Sequence, residues 1–295
     1  MKYYYKKIST LVRGVLREVE RKHLPLVSAG LAFYFLMSLI PALVMLTAVA
    51  AYLPIGTGEQ GYESFLAHII PSHGLAILDQ AMATIQPYRG GLLSLGIIAT
   101  LWLTSKSVKG IISGLDIVYD VHTPRSLWTN RILAFGLTCG VGFLLLLGIA
   151  LTLTGPAIES LLSILTPVQS LWTTMWPYMQ WSLSATITFA AIELLYLLAP
   201  NVPASRRVTV PGALIAAFIV LSLAFFLSYY FYHFGDLKLS KVYGAFATPI
   251  ALVIWLHWSA AAILIGAEVN VNIQAYRTRK ASQGELGIER EADAA

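Results

Sequence analysis

Six long stretches that are almost free of charged residues divide this chain of 295 residues, and they constrain its fold more than any other feature. The stretches are Leu24–Gly58, Gly90–Ser105, Ile132–Ile158, Tyr178–Pro200, Val208–Gly235 and Val242–Ala267. A helix needs about 20 apolar residues to cross the core of a bilayer. Five stretches reach that length, and the second one is marginal. The sequence therefore predicts an all-α, polytopic membrane protein with six transmembrane helices.

The positions of the basic residues predict how these helices are oriented. Of the 20 Lys and Arg residues, 17 lie in alternate segments between the stretches and 3 lie in the other segments. Basic residues are retained on the cytoplasmic side of a membrane. Both termini and the Arg206–Arg207 loop are therefore expected inside, and the loops Pro54–Arg89 and Gly155–Pro177 outside. Without the short second stretch every later segment would invert, which would place Arg206 and Arg207 outside.

The composition excludes an ordinary cytoplasmic enzyme. Charged residues make up 12% of the chain, against about 25% in soluble proteins. The net charge of +5 is accounted for by the cytoplasmic flanks, so no nucleic-acid partner is expected. The single cysteine, Cys139, allows no disulfide and no cysteine-based metal site within one chain. No Gly-rich phosphate-binding loop is present, and no cofactor is expected.

The chain is expected to have three parts. Residues 1–23 form an amphipathic helix at the cytoplasmic interface, because the apolar residues of Lys2–Lys22 recur at helical spacing opposite cations that face anionic headgroups. Residues 24–276 form the six-helix transmembrane domain, and residues 277–295 form a polar, disordered cytoplasmic tail. The basic N-terminus has no short apolar core with a cleavage site, so no cleaved signal peptide is expected.

The connections between the spans carry helical patterns of their own. Two short helices on the membrane surface are expected within Pro54–Arg89, where apolar residues form two stripes. The second transmembrane helix should continue to about Asp120, because apolar residues keep their helical spacing past Lys106. The outside connection Gly155–Pro177 is rich in Leu and Trp, and a short interfacial helix is predicted there.

Ionisable residues inside the spans are costly and are therefore the candidates for function. Glu268 lies near the inner end of the sixth span, with His257 and Asn272 projecting within about 60° of it on the same helix. Two alternatives remain for Glu268: it pairs with a basic residue on the inner side, or it lines a polar pathway that includes Tyr34. Glu193 interrupts the fourth span and is expected to pair with Arg206, Arg207 or Lys106, or to line the same pathway.

Proline and glycine residues mark the expected bends and contacts. Pro41 lies in the middle of the first span, where the loss of one backbone hydrogen bond predicts a kink or local unwinding. Small residues allow transmembrane helices to approach closely. Helix packing is the role expected of Gly136, Gly140, Gly244 and Gly266.

Several short sequence motifs follow one another along the chain. They are AGLAFY at Ala29–Tyr34, SLIP at Ser38–Pro41, LLY at Leu194–Tyr196 with Pro200, PGA at Pro211–Ala213 with Ala216–Ala217, VYGA at Val242–Ala245 and LIGAE at Leu264–Glu268. In this order they resemble the motifs of the YihY/BrkB family of bacterial inner-membrane proteins. The resemblance covers Val27 to Gln274. The family motifs do not include an acidic residue at the position of Glu193. It implies the same six-span layout in a bacterial inner membrane.

The function implied by this resemblance is broad. Members have carried a ribonuclease label as well as virulence and serum-resistance labels, and transport of envelope components has been suggested. A metal-dependent nuclease needs clustered His and Asp ligands, whereas the six histidines of this chain are scattered. We therefore expect no enzyme, but a transporter or flippase-like translocator of a lipidic or amphipathic envelope component. The alternative is a non-transporting scaffold or envelope-integrity factor, and membrane lipids are the expected partners, with a homo-oligomer left open.

Overall fold

The computed structural model describes residues 2–50, 91–121, 125–162, 166–202, 208–234 and 247–293. Seven α-helices account for nearly all of this described part of the chain. In chain order they are α1 (Lys2–Arg21), α2 (Leu24–Ala50), α3 (Gly91–Val118), α4 (Leu127–Leu162), α5 (Thr166–Leu198), α6 (Val210–Phe234) and α7 (Ala247–Asp293). The all-helical class predicted from the sequence is thus confirmed.

Four of these helices are long and apolar enough to cross a membrane. Their apolar segments are Leu127–Gly148 in α4, Ser170–Leu198 in α5, Val210–Tyr229 in α6 and Ile250–Thr278 in α7, and Leu24–Ser38 in α2 is a shorter one. Large apolar side chains such as Phe143, Phe218 and Phe226 are exposed on these helices, as is usual for surfaces that face lipid. The chain is therefore an integral membrane protein, and six spans remain a prediction.

Helix α1 begins and ends close to the predicted boundaries, whereas α7 extends past the predicted end of the transmembrane domain. Helix α1 covers nearly the whole segment Lys2–Lys22, although its position at the membrane interface remains a prediction. Helix α7 continues to Asp293, whereas disorder was expected after Tyr276. Nine of the 17 residues in 277–293 are Arg, Glu, Ala or Lys, which favour a helix even where no apolar stripe is present.

The connection Gly155–Pro177 differs most from its prediction. Helix α4 extends to Leu162 and α5 already begins at Thr166, so the two transmembrane helices themselves occupy most of this segment. Trp172 and Trp176, one turn apart, stack with ring centroids 5.1 Å apart on the same helix. Pro177 lies inside α5 and does not end it. The two surface helices expected within Pro54–Arg89 lie outside the described residues.

The chain divides into two compact units, Met1–Ala32 with Lys109–Ala295, and Phe33–Val108. In the larger unit α6 packs on α7 through small buried residues, including Ala213, Ala216, Ala260 and Ala267. Small side chains let the helix backbones approach closely, which is how helices associate when lipid offers no hydrophobic driving force. In the smaller unit the Ser107 hydroxyl of α3 donates to the backbone carbonyl of Tyr34 in α2 at 2.8 Å.

Candidate functional site

A buried ion pair joins the start of the chain to its last transmembrane helix. Glu268 on α7 is fully buried, and the side chain of Lys22 is only 4% exposed. The Lys22 ammonium group donates to Glu268 Oε2 at 2.9 Å. Of the two alternatives for Glu268, the structure contains the ion pair with a basic residue. The pathway role remains a prediction.

Further hydrogen bonds satisfy other atoms of this pair. The Lys22 ammonium group donates a second hydrogen bond, at 2.6 Å, to the carbonyl of Val118, the last residue of α3. The Asn272 side-chain amide donates to Glu268 Oε1 at 2.8 Å from one turn further along α7. Both carboxylate oxygens therefore have a donor, which is the condition under which a buried charge is tolerated.

Two sharp turns bring these groups together. His23 (φ 51°) lies between α1 and α2, and Asp120 (φ 49°) follows the end of α3. The left-handed region is unfavourable for residues other than glycine and indicates backbone that its surroundings hold in place. Arg21 pairs with Glu18 at 2.7 Å and with Asp120 at 3.3 Å on the exposed rim of the cluster. Solvent screens these rim pairs, so they contribute little to stability.

The polar stripe predicted on the last helix faces the first two helices. His257 Nδ1 lies 3.3 Å from the Ser28 hydroxyl of α2. Glu268 contacts Lys22, and a Cβ atom placed on Gly14 of α1 would lie 3.1 Å from Asn272 Oδ1. These three residues of α7 therefore lie against α1, α2 and the turn at His23 that joins them, the α1–α2 elbow.

A second polar cluster joins α5, α6 and α7. The Thr209 hydroxyl donates to Glu193 Oε1 at 2.5 Å, and Glu193 Oε2 has no hydrogen-bond partner among the described residues. Asn270 accepts from the Gly212 N–H at 2.7 Å and donates to the Thr209 carbonyl at 2.9 Å. The first N–H groups of a helix have no partner within that helix. Asn270 thus caps the start of α6 from a neighbouring helix. Arg206 and Arg207, two of the three partners predicted for Glu193, lie outside the described residues.

Helices α5, α6 and α7 approach one another most closely at two glycines. A Cβ atom on Gly266 would lie 2.6 Å from Tyr196 Oη, and one on Gly212 would overlap the Gly266 carbonyl oxygen. Tyr196 is fully buried and donates to the Ile263 carbonyl at 2.5 Å. Gly266 therefore lies at a tight contact between these helices.

The other predicted residues have varied surroundings. Tyr34 is 44% exposed, packs edge-on against Phe33, and belongs to the smaller unit. The helical backbone of α2 continues through Pro41 to Ala50, so local unwinding is not seen there and a kink remains a prediction. A Cβ atom on Gly140 would lie 3.1 Å from Leu194, whereas one on Gly136 would meet nothing within 4 Å. Gly244 lies outside the described residues.

A third set of contacts secures the end of α5. The Arg125 guanidinium donates to the carbonyls of Ala199 at 2.7 Å and Pro200 at 3.1 Å. Asp116, beyond the predicted second span, accepts from the Asn201 N–H at 3.1 Å. Burial raises the pKa of Asp116, while that N–H and the nearby Arg125 lower it in part. The arrangement satisfies carbonyl groups that have no partner at a helix C-terminus.

Sequence reasoning did not identify Lys22 or Asn270 as site residues. Lys22 was counted only as one of the basic residues before the first span, although it directly precedes an apolar stretch. Asn270 lies two residues after Glu268 in an otherwise apolar segment, which was a usable signal. Among the residues that the structure describes, no group of three or more His, Cys, Asp or Glu side chains is placed to hold a metal ion.

The chain is similar to several known membrane proteins. The family model for virulence factor BrkB matches residues 15–287. The ribonuclease-like protein YfkH of Bacillus subtilis is 32% identical over 82% of this chain and 87% of its own length. A UPF0761 membrane protein of Rhodospirillum rubrum is 28% identical over 92% of this chain and 61% of its own length. One from Tolumonas auensis is 25% identical over 91% and 86%, respectively. No solved structure matches the chain at a significant level.

Proposed function

Because the chain belongs to the virulence factor BrkB family of membrane proteins, we propose that it translocates an amphipathic, lipid-like component of the envelope across the bacterial inner membrane. The observation that carries this proposal is the buried pair of Lys22 and Glu268, held 2.9 Å apart. In the proposed mechanism the pair closes the cytoplasmic end of the larger unit. The ion pair separates and forms again in each transport cycle.

The energetics of a buried ion pair favour a reversible role. Desolvating two charges costs several kcal/mol per ion, and apolar residues of similar volume are often equally or more stabilising. A permanently closed helix end would gain nothing from Lys22 and Glu268 that leucines could not supply. A pair that separates into water regains its hydration, so charge suits a contact that forms and breaks.

The polar stripe on α7 provides further support for a pathway. His257 and Ser28 lie within hydrogen-bond distance of each other in the part of the chain that holds the ion pair. A lipid with a charged headgroup needs polar partners inside a membrane, because leaving its headgroup bare in hydrocarbon is costly. Opening of the pair would expose this stripe to such a headgroup.

A scaffold that maintains envelope integrity is the second candidate, and a specific observation favours it. Helices α6 and α7 touch backbone to backbone at Gly212 and Gly266, which leaves no room for a headgroup between them. Such close packing suits a rigid membrane anchor. The two candidates differ in one measurable property, since only a translocator accelerates the movement of lipid between leaflets.

Lipid movement can be measured with the purified full chain in liposomes. Phosphatidylglycerol and phosphatidylethanolamine carrying a nitrobenzoxadiazole fluorophore serve as separate probes, and dithionite added outside bleaches only accessible probe. The measurement is repeated with a pH gradient of either direction. We expect the inner-leaflet probe to become accessible faster than in protein-free liposomes, while a trapped soluble fluorophore stays protected. Protection of both lipid probes under every condition, with folded protein, would overturn the proposal and favour the scaffold.

A further inference from the structure

Helix α1 has an exposed apolar face on the side away from its packing contacts. Val12 and Leu16, one turn apart, are 48% and 58% exposed. Val15, between them in sequence, is buried, and Gly14 lies against Asn272 of α7. Because residues four apart lie side by side on a helix, Val12 and Leu16 form one continuous apolar strip that no described residue covers.

Two arginines flank this strip. Arg13 and Arg17 are exposed and lie about 100° further around the helix than Val12 and Leu16. Neither belongs to the ion pairs formed among the described residues. An apolar strip bordered by cations is typical of helices that lie in the headgroup region of a membrane. Long arginine side chains reach from such a helix to the lipid phosphates.

The position of α1 next to a membrane helix identifies the partner as lipid. The apolar segment of α2 starts at Leu24, three residues after α1 ends at Arg21. Helix α1 therefore ends at the level where α2 enters the bilayer. The charge of Arg13 and Arg17 fits an anionic leaflet, which attracts basic segments close to its surface.

One donor to the Glu268 carboxylate directly follows α1, and the other donor, on α7 itself, lies against α1. Lys22, bound to Oε2 at 2.9 Å, directly follows the last residue of α1. Asn272, bound to Oε1 at 2.8 Å, lies against Gly14 in the middle of α1. His23 with its φ of 51° makes the elbow to α2 tight, so movement of α1 must displace Lys22. Displacement of α1 from α7 would thus remove Lys22 from Oε2, whereas Asn272, on the same helix as Glu268, would lose only its contact with Gly14.

We propose that α1 is a lipid-docked arm that controls the ion pair. Its face formed by Val12, Leu16, Arg13 and Arg17 docks on the anionic surface of the adjacent leaflet, and docking keeps Lys22 on Glu268. Anionic lipid therefore stabilises the closed pair. When anionic lipid is scarce, α1 leaves the surface and the pair separates. The inference goes beyond translocation, and testing it requires no transport measurement.

Two spectroscopic measurements test separately whether α1 docks on lipid and whether it controls the Lys22–Glu268 ion pair. In a Cys139→Ala background, a spin label at Leu16→Cys reports whether that position is in lipid or in water. Labels at Glu20→Cys and Tyr276→Cys, both on exposed positions, report the distance between α1 and α7. The full chain is placed in nanodiscs of phosphatidylcholine with or without phosphatidylglycerol. The Arg13→Gln/Arg17→Gln variant removes the proposed contacts, and Arg277→Gln/Arg279→Gln removes the same charge from the tail as a control.

The expected results are specific to anionic lipid and to α1. With phosphatidylglycerol the Leu16→Cys label lies in lipid and the α1–α7 distance has one narrow distribution. Loss of two arginines should lower the docked-to-undocked ratio roughly thirtyfold, and high salt should act in the same direction. Both changes should move the label into water and broaden the distance, while the tail variant behaves as the parent does.

Two results would overturn the inference. If the Leu16→Cys label lies equally deep in lipid without phosphatidylglycerol and in the double-arginine variant, anionic docking is wrong. If the label moves into water but the α1–α7 distance is unchanged, the coupling to the pair is wrong. The lipid comparison uses the unaltered arginines, so a failure of the variant to fold would leave the test intact.

Discussion

The ammonium group of Lys22 and the carboxylate of Glu268 form a buried ion pair, although 246 residues separate them along the chain. The contact ties the elbow between α1 and α2 to the last transmembrane helix. The same ammonium group binds the carbonyl at the end of α3. Three distant parts of the chain therefore depend on one charged contact, which has consequences for stability, topology and turnover.

The pair should show strong coupling in a double-mutant cycle. Lys22→Met alone should lower the free energy of unfolding by about 3–5 kcal/mol, because it leaves the buried Glu268 carboxylate without a cation. Glu268→Leu alone should cost less, because Lys22 keeps Asp120 at 3.5 Å and Glu18 at 3.8 Å. The combined Lys22→Met/Glu268→Leu variant should lose less stability than the sum of the two single losses. Reversible unfolding of the purified parent and the three variants in detergent gives the four free energies. Additive losses would contradict the coupling.

Gly266 should not tolerate a methyl group. In Gly266→Ala the new Cβ would press on Tyr196 Oη and the Gly212 carbonyl, which should cost at least about 1–3 kcal/mol by overpacking. Gly136→Ala is the matched control, because its Cβ would meet nothing within 4 Å. The control should be stabilised by about 0.5–1 kcal/mol through helix propensity. If the two variants were equally stable, α6 and α7 would not be in tight contact at Gly266.

Asp116 should make the chain less stable as the pH rises from the acidic range. Burial raises the pKa of Asp116, so the folded chain holds that proton more tightly than the unfolded chain does. Stability contributed by the protonated form is therefore lost as the pH increases from the ordinary aspartate pKa through the raised one. Asp116→Asn keeps an acceptor for the Asn201 N–H and should remove this loss. Identical pH profiles of the thermal midpoint for parent and variant would contradict the assignment.

The orientation in the membrane can be tested with single cysteines. In a Cys139→Ala background, a cysteine at Ser205 should react with an impermeant thiol reagent only after the inner side is opened. A cysteine at Ser72 should react in intact cells, because Pro54–Arg89 is predicted outside. The physical reason is the split of 17 basic residues against 3 between alternate segments. Labelling at Ser205 from outside would invert the predicted topology.

Apolar runs predicted the helices well because burial in lipid leaves a continuous signal in the sequence. The stretch Val208–Gly235 corresponds to α6 at Val210–Phe234. The sequence was less informative at Gly155–Pro177, where a separate short interfacial helix was predicted. Helices α4 and α5 instead extend to Leu162 and from Thr166. The interfacial position of Trp172 and Trp176 remains a prediction.

The partners within the site were harder to predict than the helices. Glu268, the acidic residue of the pair, could be identified from the sequence, because a carboxylate inside an apolar span is energetically costly and therefore rare. Lys22 gave no comparable signal, since it lies in a basic flank where any of several cations was equally suitable. Lys22 directly precedes the turn at His23, and a residue with positive φ that is not glycine has no reliable sequence signature.

Crosslinking positions 22 and 268 shows whether contact between Lys22 and Glu268 reversibly closes a translocator. In the Cys139→Ala background, Lys22→Cys/Glu268→Cys is joined by a short bifunctional thiol reagent with a cleavable disulfide, and lipid exchange is measured in liposomes. We expect faster exchange than in the parent before crosslinking, arrest when crosslinked, and recovery after reduction. Either single-cysteine variant treated with the same reagent should show no arrest. Exchange that continues at full rate in the crosslinked protein would contradict the claim.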